Sequence, residues 1–235
     1  MRLNPTQANE ETRFWLYQDM EHMLFFKLGL EDEQLKDKAS RLYDEYQKAL
    51  FQNNLGYALN TILPQSQAFK QELRAKQAQG WIGWLYPAFI DHVDMEMKMF
   101  LARVSPQGLS PRQELCFGNK MSADHCALAA HLLDPTENAL HNSLNHQLRP
   151  KAETNANSCM TEAYPTLLRL SQVAGSEIDK AFSGLNLQQT KSIIHPALAA
   201  HVIREGTWFN NTMMRIPSEN GTLIQPNQFI QPRMY

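Results

Sequence analysis

Apolar side chains recur three and four positions apart through segment after segment of this chain, and each segment stops where Pro or Gly interrupts it. The spacing predicts eight helices, over residues 7–29, 32–51, 53–79 and 85–103, then 110–132, 136–149, 157–183 and 192–215. Pro64 and Pro165 are expected to kink or restart the third helix of each set. Asp134-Pro135-Thr136-Glu137 reads as an N-cap, a Pro at the first helical position and a capping Glu, and Glu31-Asp32-Glu33 as a looser version. The tail, 216–235, carries Pro217, Pro226 and Pro232 and reads as an extended arm.

The eight helices form two sets of four. The first helix of each carries E-x-x-F-x(6)-[ED]-H: Glu11, Phe14, Glu21 and His22, then Glu114, Phe117, Asp124 and His125. The fourth carries P-A-[FL]-x-x-H-V-x-x-E: Pro87 to His92 and Glu96, then Pro196 to His201 and Glu205. The first motif repeats at an offset of 103 residues and the second at 109, so six extra residues lie between them in the second half. Two motifs repeated in the same order mark an internal duplication, with an up-down four-helix bundle as the unit. The expected domains are 1–105 and 106–215, followed by the tail.

Composition narrows the function. Lys plus Arg number 22 against 24 Asp plus Glu, a net charge of −2, so the basic excess of a nucleic-acid or anionic-membrane surface is missing. No window of ~18 apolar residues predicts a membrane span, and the N-terminus lacks the apolar core of a signal peptide. The three cysteines, Cys116, Cys126 and Cys159, form no C-x-x-C pair. The expectation is neither a disulfide framework nor a zinc finger, but small buried thiols in a soluble protein of the reducing cytoplasm. The sequons at Asn210 and Asn220 are then incidental.

The repeated residues carry the candidate chemistry. Positions 11 apart on a helix are three turns apart and ~20° out of phase, so Glu11, Trp15, Gln18 and His22 form one inward stripe, as do Glu114, Gly118, Met121 and His125. His92 and Glu96, and again His201 and Glu205, share a face at i, i+4. In an up-down bundle the first and fourth helices are antiparallel neighbours. That puts His22 level with His92 and His125 level with His201, with a Glu one turn deeper.

Two imidazoles and a carboxylate suit Fe(II) or Mn(II), with Zn(II) also accommodated. The competing account makes each His a core residue hydrogen-bonded to a carboxylate. Glu11 and Glu114 lie ~16 Å along the helix from the His of their own stripe. Each is either a structural carboxylate near a helix start or a ligand serving the other half, if the two first helices pack antiparallel. Asp19-x-x-His22 looks like half of a di-iron pair, but Ser122 stands at the matching place and the full two-metal carboxylate pattern is absent. Glu21 and Asp124 point ~100° from the His that follows each. His131, His141 and His146 have no counterparts and read as surface residues, and His195 as a helix-start residue.

The string from Glu11 to His22, with Asp91-His92-x-x-x-Glu96, Asp124-His125, His131-Leu-Leu-Asp-Pro-Thr-Glu137 and Ile194-His195-Pro196 running to Glu205, resembles a bacterial family known as domain of unknown function 2935. The resemblance covers about residues 8–214. It implies two tandem ferritin-like four-helix bundles with metal, iron foremost, on these His and Glu residues. This chain departs at Gly118, where Trp15 sets the pattern, and at Ala200, where an Asp precedes the His in the first half. The expected function is a metal-binding protein with one non-haem iron or manganese site per bundle and redox or oxygen chemistry. The alternatives are a storage or sensing protein without turnover, and a helical interaction module.

Overall fold

In the computed structural model, which describes residues 3–186 and 190–215, the regular secondary structure of those residues is helical, with two isolated backbone bridges besides. The predicted tail, 216–235, lies outside the described residues. Among the described residues eight helices run in the expected order: α1 (Pro5–Gly29), α2 (Glu33–Phe51), α3 (55–79), α4 (Pro87–Val104), α5 (Pro111–Leu132), α6 (138–158), α7 (Tyr164–Asn186) and α8 (Pro196–Arg215). Both α1 and α5 open on the same device. Asn4 accepts from Gln7 N while Gln7 Oε1 accepts from Asn4 N, and Ser110 and Gln113 repeat the exchange. A Pro follows each cap at the first helical position, where its missing N–H costs nothing.

Prolines inside helices are absorbed locally. In α3 a π-helical turn, Ala58–Ile62, precedes Pro64; in α6 another, Ser143–Leu148, precedes Pro150. The wider turn makes room for a ring that would otherwise strike the carbonyl one turn back. Two sequence expectations are corrected. Pro150 lies within α6, which runs on to Ser158 instead of ending at 149. Asp134 caps a turn, accepting from Thr136 N at 2.8 Å, and α6 begins four residues later at Asn138. Pro165 sits in the first turn of α7, where it restarts the helix, one of the two effects expected of it. Asp32 does cap α2, accepting from Gln34 N and Leu35 N.

Two compact units result. One is Met1–Leu109 with His195–His201; the other is Ser110–Ile194 with Val202–Tyr235. The first two turns of α8 thus belong to the first unit. The core of that unit holds Trp15, Phe26, Tyr46, Phe69 and Phe100, all fully buried. The core of the other holds Leu115, Met121, Leu144, Leu167 and Phe209. The duplication is visible in the loops. Leu30 bridges Gly83 in the first unit and Leu133 bridges Ser192 in the second, at the same offsets of 103 and 109 residues as the motifs. Gly83 must be glycine: its φ is 148°, and a Cβ there would stand 2.2 Å from the Gly29 carbonyl oxygen. Gly118, the departure from the Trp pattern, is filled from across the unit. A Cβ on it would lie 1.6 Å from the Phe209 ring, so the aromatic volume comes from α8.

Cys116 and Cys159 form a disulfide joining the first turns of α5 to the residue after α6, with Cα atoms 5.4 Å apart; Cys126 is the free, buried thiol. The expectation of three thiols is corrected, and with it goes the ground for reading a reducing compartment. A loop of some tens of residues is closed, so reduction, or Cys116→Ser, is expected to lower unfolding free energy by about 2–4 kcal/mol in urea melts. Identical midpoints with and without reductant would show that the pairing adds nothing. Among the described residues no helix is long and apolar enough to cross a membrane.

Candidate metal centre

The inward stripe of α1 is buried as its spacing requires: Trp15, Gln18 and His22 are all fully enclosed. His22 comes from the middle of α1, Glu96 from the middle of α4, and His201 from the second turn of α8, which the first unit includes. His22 Nε2 lies 3.1 Å from His201 Nε2 and 3.2 Å from Glu96 Oε2. The three donor atoms fall within 4.8 Å of one another. His92 Nε2 lies 2.9 Å from the other oxygen of the same carboxylate, Glu96 Oε1. In the second unit His125 Nε2 lies 3.1 Å from Glu205 Oε2. All six side chains are buried.

The grouping differs from the sequence expectation at His201. His22 and His92 do meet at Glu96, but His201, expected beside His125, stands against His22. The reason is the division of α8, whose early turns pack in the first unit. Phe25 holds the same ring edge-on at 5.2 Å, and Gln18 Nε2 reaches the His201 carbonyl at 3.4 Å.

Carboxylates set the orientation of both rings. Glu21 Oε2 is 2.8 Å from His201 Nδ1, and Asp19 Oδ1 is 3.4 Å from His22 Nδ1. A carboxylate at Nδ1 accepts a hydrogen bond in the tautomer that carries its proton there, and that tautomer leaves Nε2 with a free lone pair. Glu21, which the sequence left open between surface and supporting roles, is buried against His201. Asp19 is not one of the grouped donors. It is fully buried and accepts from Tyr46 Oη at 2.5 Å, Ser66 Oγ at 2.6 Å and the Lys70 ammonium. Burial alone would raise its carboxyl, but the Lys70 charge and the His22 and Lys70 hydrogen bonds outweigh burial and hold it well below the usual range. Burial and the Asp19 charge together push the Tyr46 phenol well up.

Lys70, Tyr46 and Ser66 were missed in the sequence. The available signal was a Lys at a core position of α3, on the face that also buries Ser66, Phe69 and Leu73.

Glu11 accepts from the Trp15 indole at 3.2 Å and from the buried Arg103 guanidinium at 3.1 Å, which gives it structural work at the α1–α4 contact. Glu114 is buried in the first turn of α5. Neither belongs to a group of three or more possible ligands among the described residues. Burial pushes the Cys126 thiol up to about 12, so it supplies no thiolate. His195 is exposed and accepts from Ala197 N at the start of α8. In the second unit, burial raises the Asp179 carboxyl to about 6 despite the Asn210 hydrogen bond and the nearby His125.

The donor set fits a metal. Donors ~2.1 Å from a common first-row ion stand about 3.0–3.4 Å apart along octahedral or tetrahedral edges. The observed separations, 3.1 and 3.2 Å, lie in that range. The buried His and Glu side chains therefore form a group able to hold a metal ion.

The chain is similar in sequence to uncharacterized protein L567 of Acanthamoeba polyphaga mimivirus, with 24% identity covering 89% of this chain and 81% of that protein. No family model matches. The fold is shared with a crystal structure of an uncharacterized protein from Bacillus cereus G9241, at a TM-score of 0.79 and 16% identity, over 95% of this chain and 97% of that one.

Proposed function

We propose that this protein binds a divalent first-row metal, iron or manganese, through His22, His201 and Glu96, as a ferritin-like two-His, one-carboxylate centre. The observation that carries the reading is the convergence of His22 Nε2, His201 Nε2 and Glu96 Oε2, with a carboxylate behind each Nδ1. Two lone pairs and an anionic oxygen facing one another in a buried site repel unless a cation stands between them. Three protein donors leave open positions on a six-coordinate ion, where dioxygen, peroxide or a chelating substrate binds. The same motifs support membership of the tandem ferritin-like family that the sequence resembles.

A proton shared between the two ring nitrogens would satisfy the same contacts without metal, and elemental analysis separates the two accounts. Protein purified without chelator or nickel resin is expected to carry iron or manganese, and His201→Ala to lose the ion from this position. A folded protein that takes up neither metal from solution would overturn the proposal. Turnover of dioxygen or peroxide by the loaded protein would separate catalysis from storage or sensing.

A further inference from the structure

The loops that close the two repeats share one backbone pattern and differ in what they expose. In the first, Glu31 N donates to the Ile82 carbonyl at 3.0 Å and Trp84 N to the Gly29 carbonyl at 2.6 Å. In the second, Asp134 N donates to the Lys191 carbonyl at 3.0 Å and Ile193 N to the Leu132 carbonyl at 2.9 Å. The positions that match Trp81 and Trp84 at the 109-residue offset are Thr190 and Ile193. The loop therefore closes without indoles. Packing does not require them in the first repeat either, where Trp81 is 69% and Trp84 77% exposed. Large apolar rings held in water on a pinned loop are the mark of a binding surface.

Their arrangement selects the ligand. The two rings are perpendicular, at 89°, with centroids 6.0 Å apart. Faces set at a right angle with that separation can both look onto one point about 4.2 Å from each centroid, within cation–π range. Trp84 Nε1 donates to Glu31 Oε1 at 3.2 Å, which orients the indole and puts a carboxylate at its edge. Glu31 is exposed, and among the described residues no cation pairs with it. A primary ammonium is strongly hydrated and needs several acceptors, which this corner does not supply. An alkylated ammonium spreads its charge over apolar methyl groups, loses little hydration and gains both ring faces as well as the carboxylate.

We propose that Trp81, Trp84 and Glu31 form a recognition corner for a small quaternary ammonium compound. The corner lies wholly in the first unit and does not depend on the proposed metal site.

Titrating the isotope-labelled, full-length protein with choline, and following its indole N–H resonances, tests this. Of the 4 tryptophans, Trp81 and Trp84 are expected to move and the others to stay. The expected Kd is on the order of millimolar, as suits so open a site. The N-methyl protons of choline should shift upfield under the ring currents. The neutral isostere of choline, with a tert-butyl group in place of trimethylammonium, should bind about tenfold more weakly. Trp81→Ala and Trp84→Ala should each weaken choline binding about tenfold, and Glu31→Gln about threefold with less sensitivity to salt. Trp84→Phe, which keeps a smaller ring, should fall between wild type and Trp84→Ala and serves if the alanine variant does not fold. Chelator should change none of these values. Equal binding of the neutral isostere would make the corner a plain apolar patch and overturn the proposal. So would choline affinity that Trp81→Ala and Glu31→Gln leave unchanged, or indole resonances that stay still up to about 0.1 M choline.

Discussion

Asp19→Asn is expected to lower the stability of the protein by about 3–5 kcal/mol, the cost of stranding a buried charge. Lys70 is 1% exposed and ion-paired to Asp19, and Tyr46 and Ser66 donate to the same carboxylate. An amide in its place cannot neutralise the ammonium and must also turn an N–H₂ toward donors. Lys70→Met in the same chain should return most of the loss, because a thioether of similar length needs no counter-charge. Chemical denaturation of the two single variants and the double gives the coupling directly. Additive losses, with no recovery in the double variant, would show that the pair is not what Asp19 contributes.

The pH dependence has a definite sign. Asp19 is held below its ordinary value of 3.8 when folded, so its stabilisation is present above that value and is lost as pH falls through it toward the folded value. Asp19→Asn should therefore flatten the acid limb of the stability curve. It should also weaken metal binding, about 10–100-fold, because His22 loses the carboxylate at Nδ1.

Removing the proposed metal is expected to produce the second large effect. An ion that binds only the folded chain, at a free concentration a thousandfold above its Kd, stabilises by about 4 kcal/mol. For a chain of this length that corresponds to a Tm lowered by about 8–16 °C on chelation. Ligation needs neutral imidazoles, so protons compete with the metal as pH falls. The difference in Tm with and without chelator should be widest above pH 7 and close toward pH 5. A Tm indifferent to chelator at pH 7.5, in protein first incubated with iron(II) or manganese(II), would remove the metal from the account of this site.

The helices and their order follow from periodicity alone. An apolar stripe every three to four residues must be buried, and only helices of these lengths bury it. The repeated motifs were equally legible at their offsets of 103 and 109 residues, and the loop bridges of the structure recur at the same offsets. The sequence likewise placed His22, His92, Glu96, His125, His201 and Glu205 on stripes that a bundle turns inward, and all six are buried. Local sequence also marked caps at Asp32 and His195, where a side chain meets its own helix N-terminus.

What tertiary structure decided was which of those residues meet. Periodicity says that His201 faces inward; it does not say toward which core, and the early turns of α8 pack in the first unit, bringing its ring to His22. The Cys116–Cys159 pairing likewise depends on the docking of α5 against the end of α6, across a separation of 43 residues that carries no local signal. Phe209 filling the space over Gly118, Arg103 reaching Glu11 and Lys70 reaching Asp19 are contacts of the same kind. The physical reason is common to all of them. Helical pattern is set by near neighbours in the chain, whereas partners from distant helices are selected by how the side chains of whole helices pack, and that information is spread over every residue of both faces.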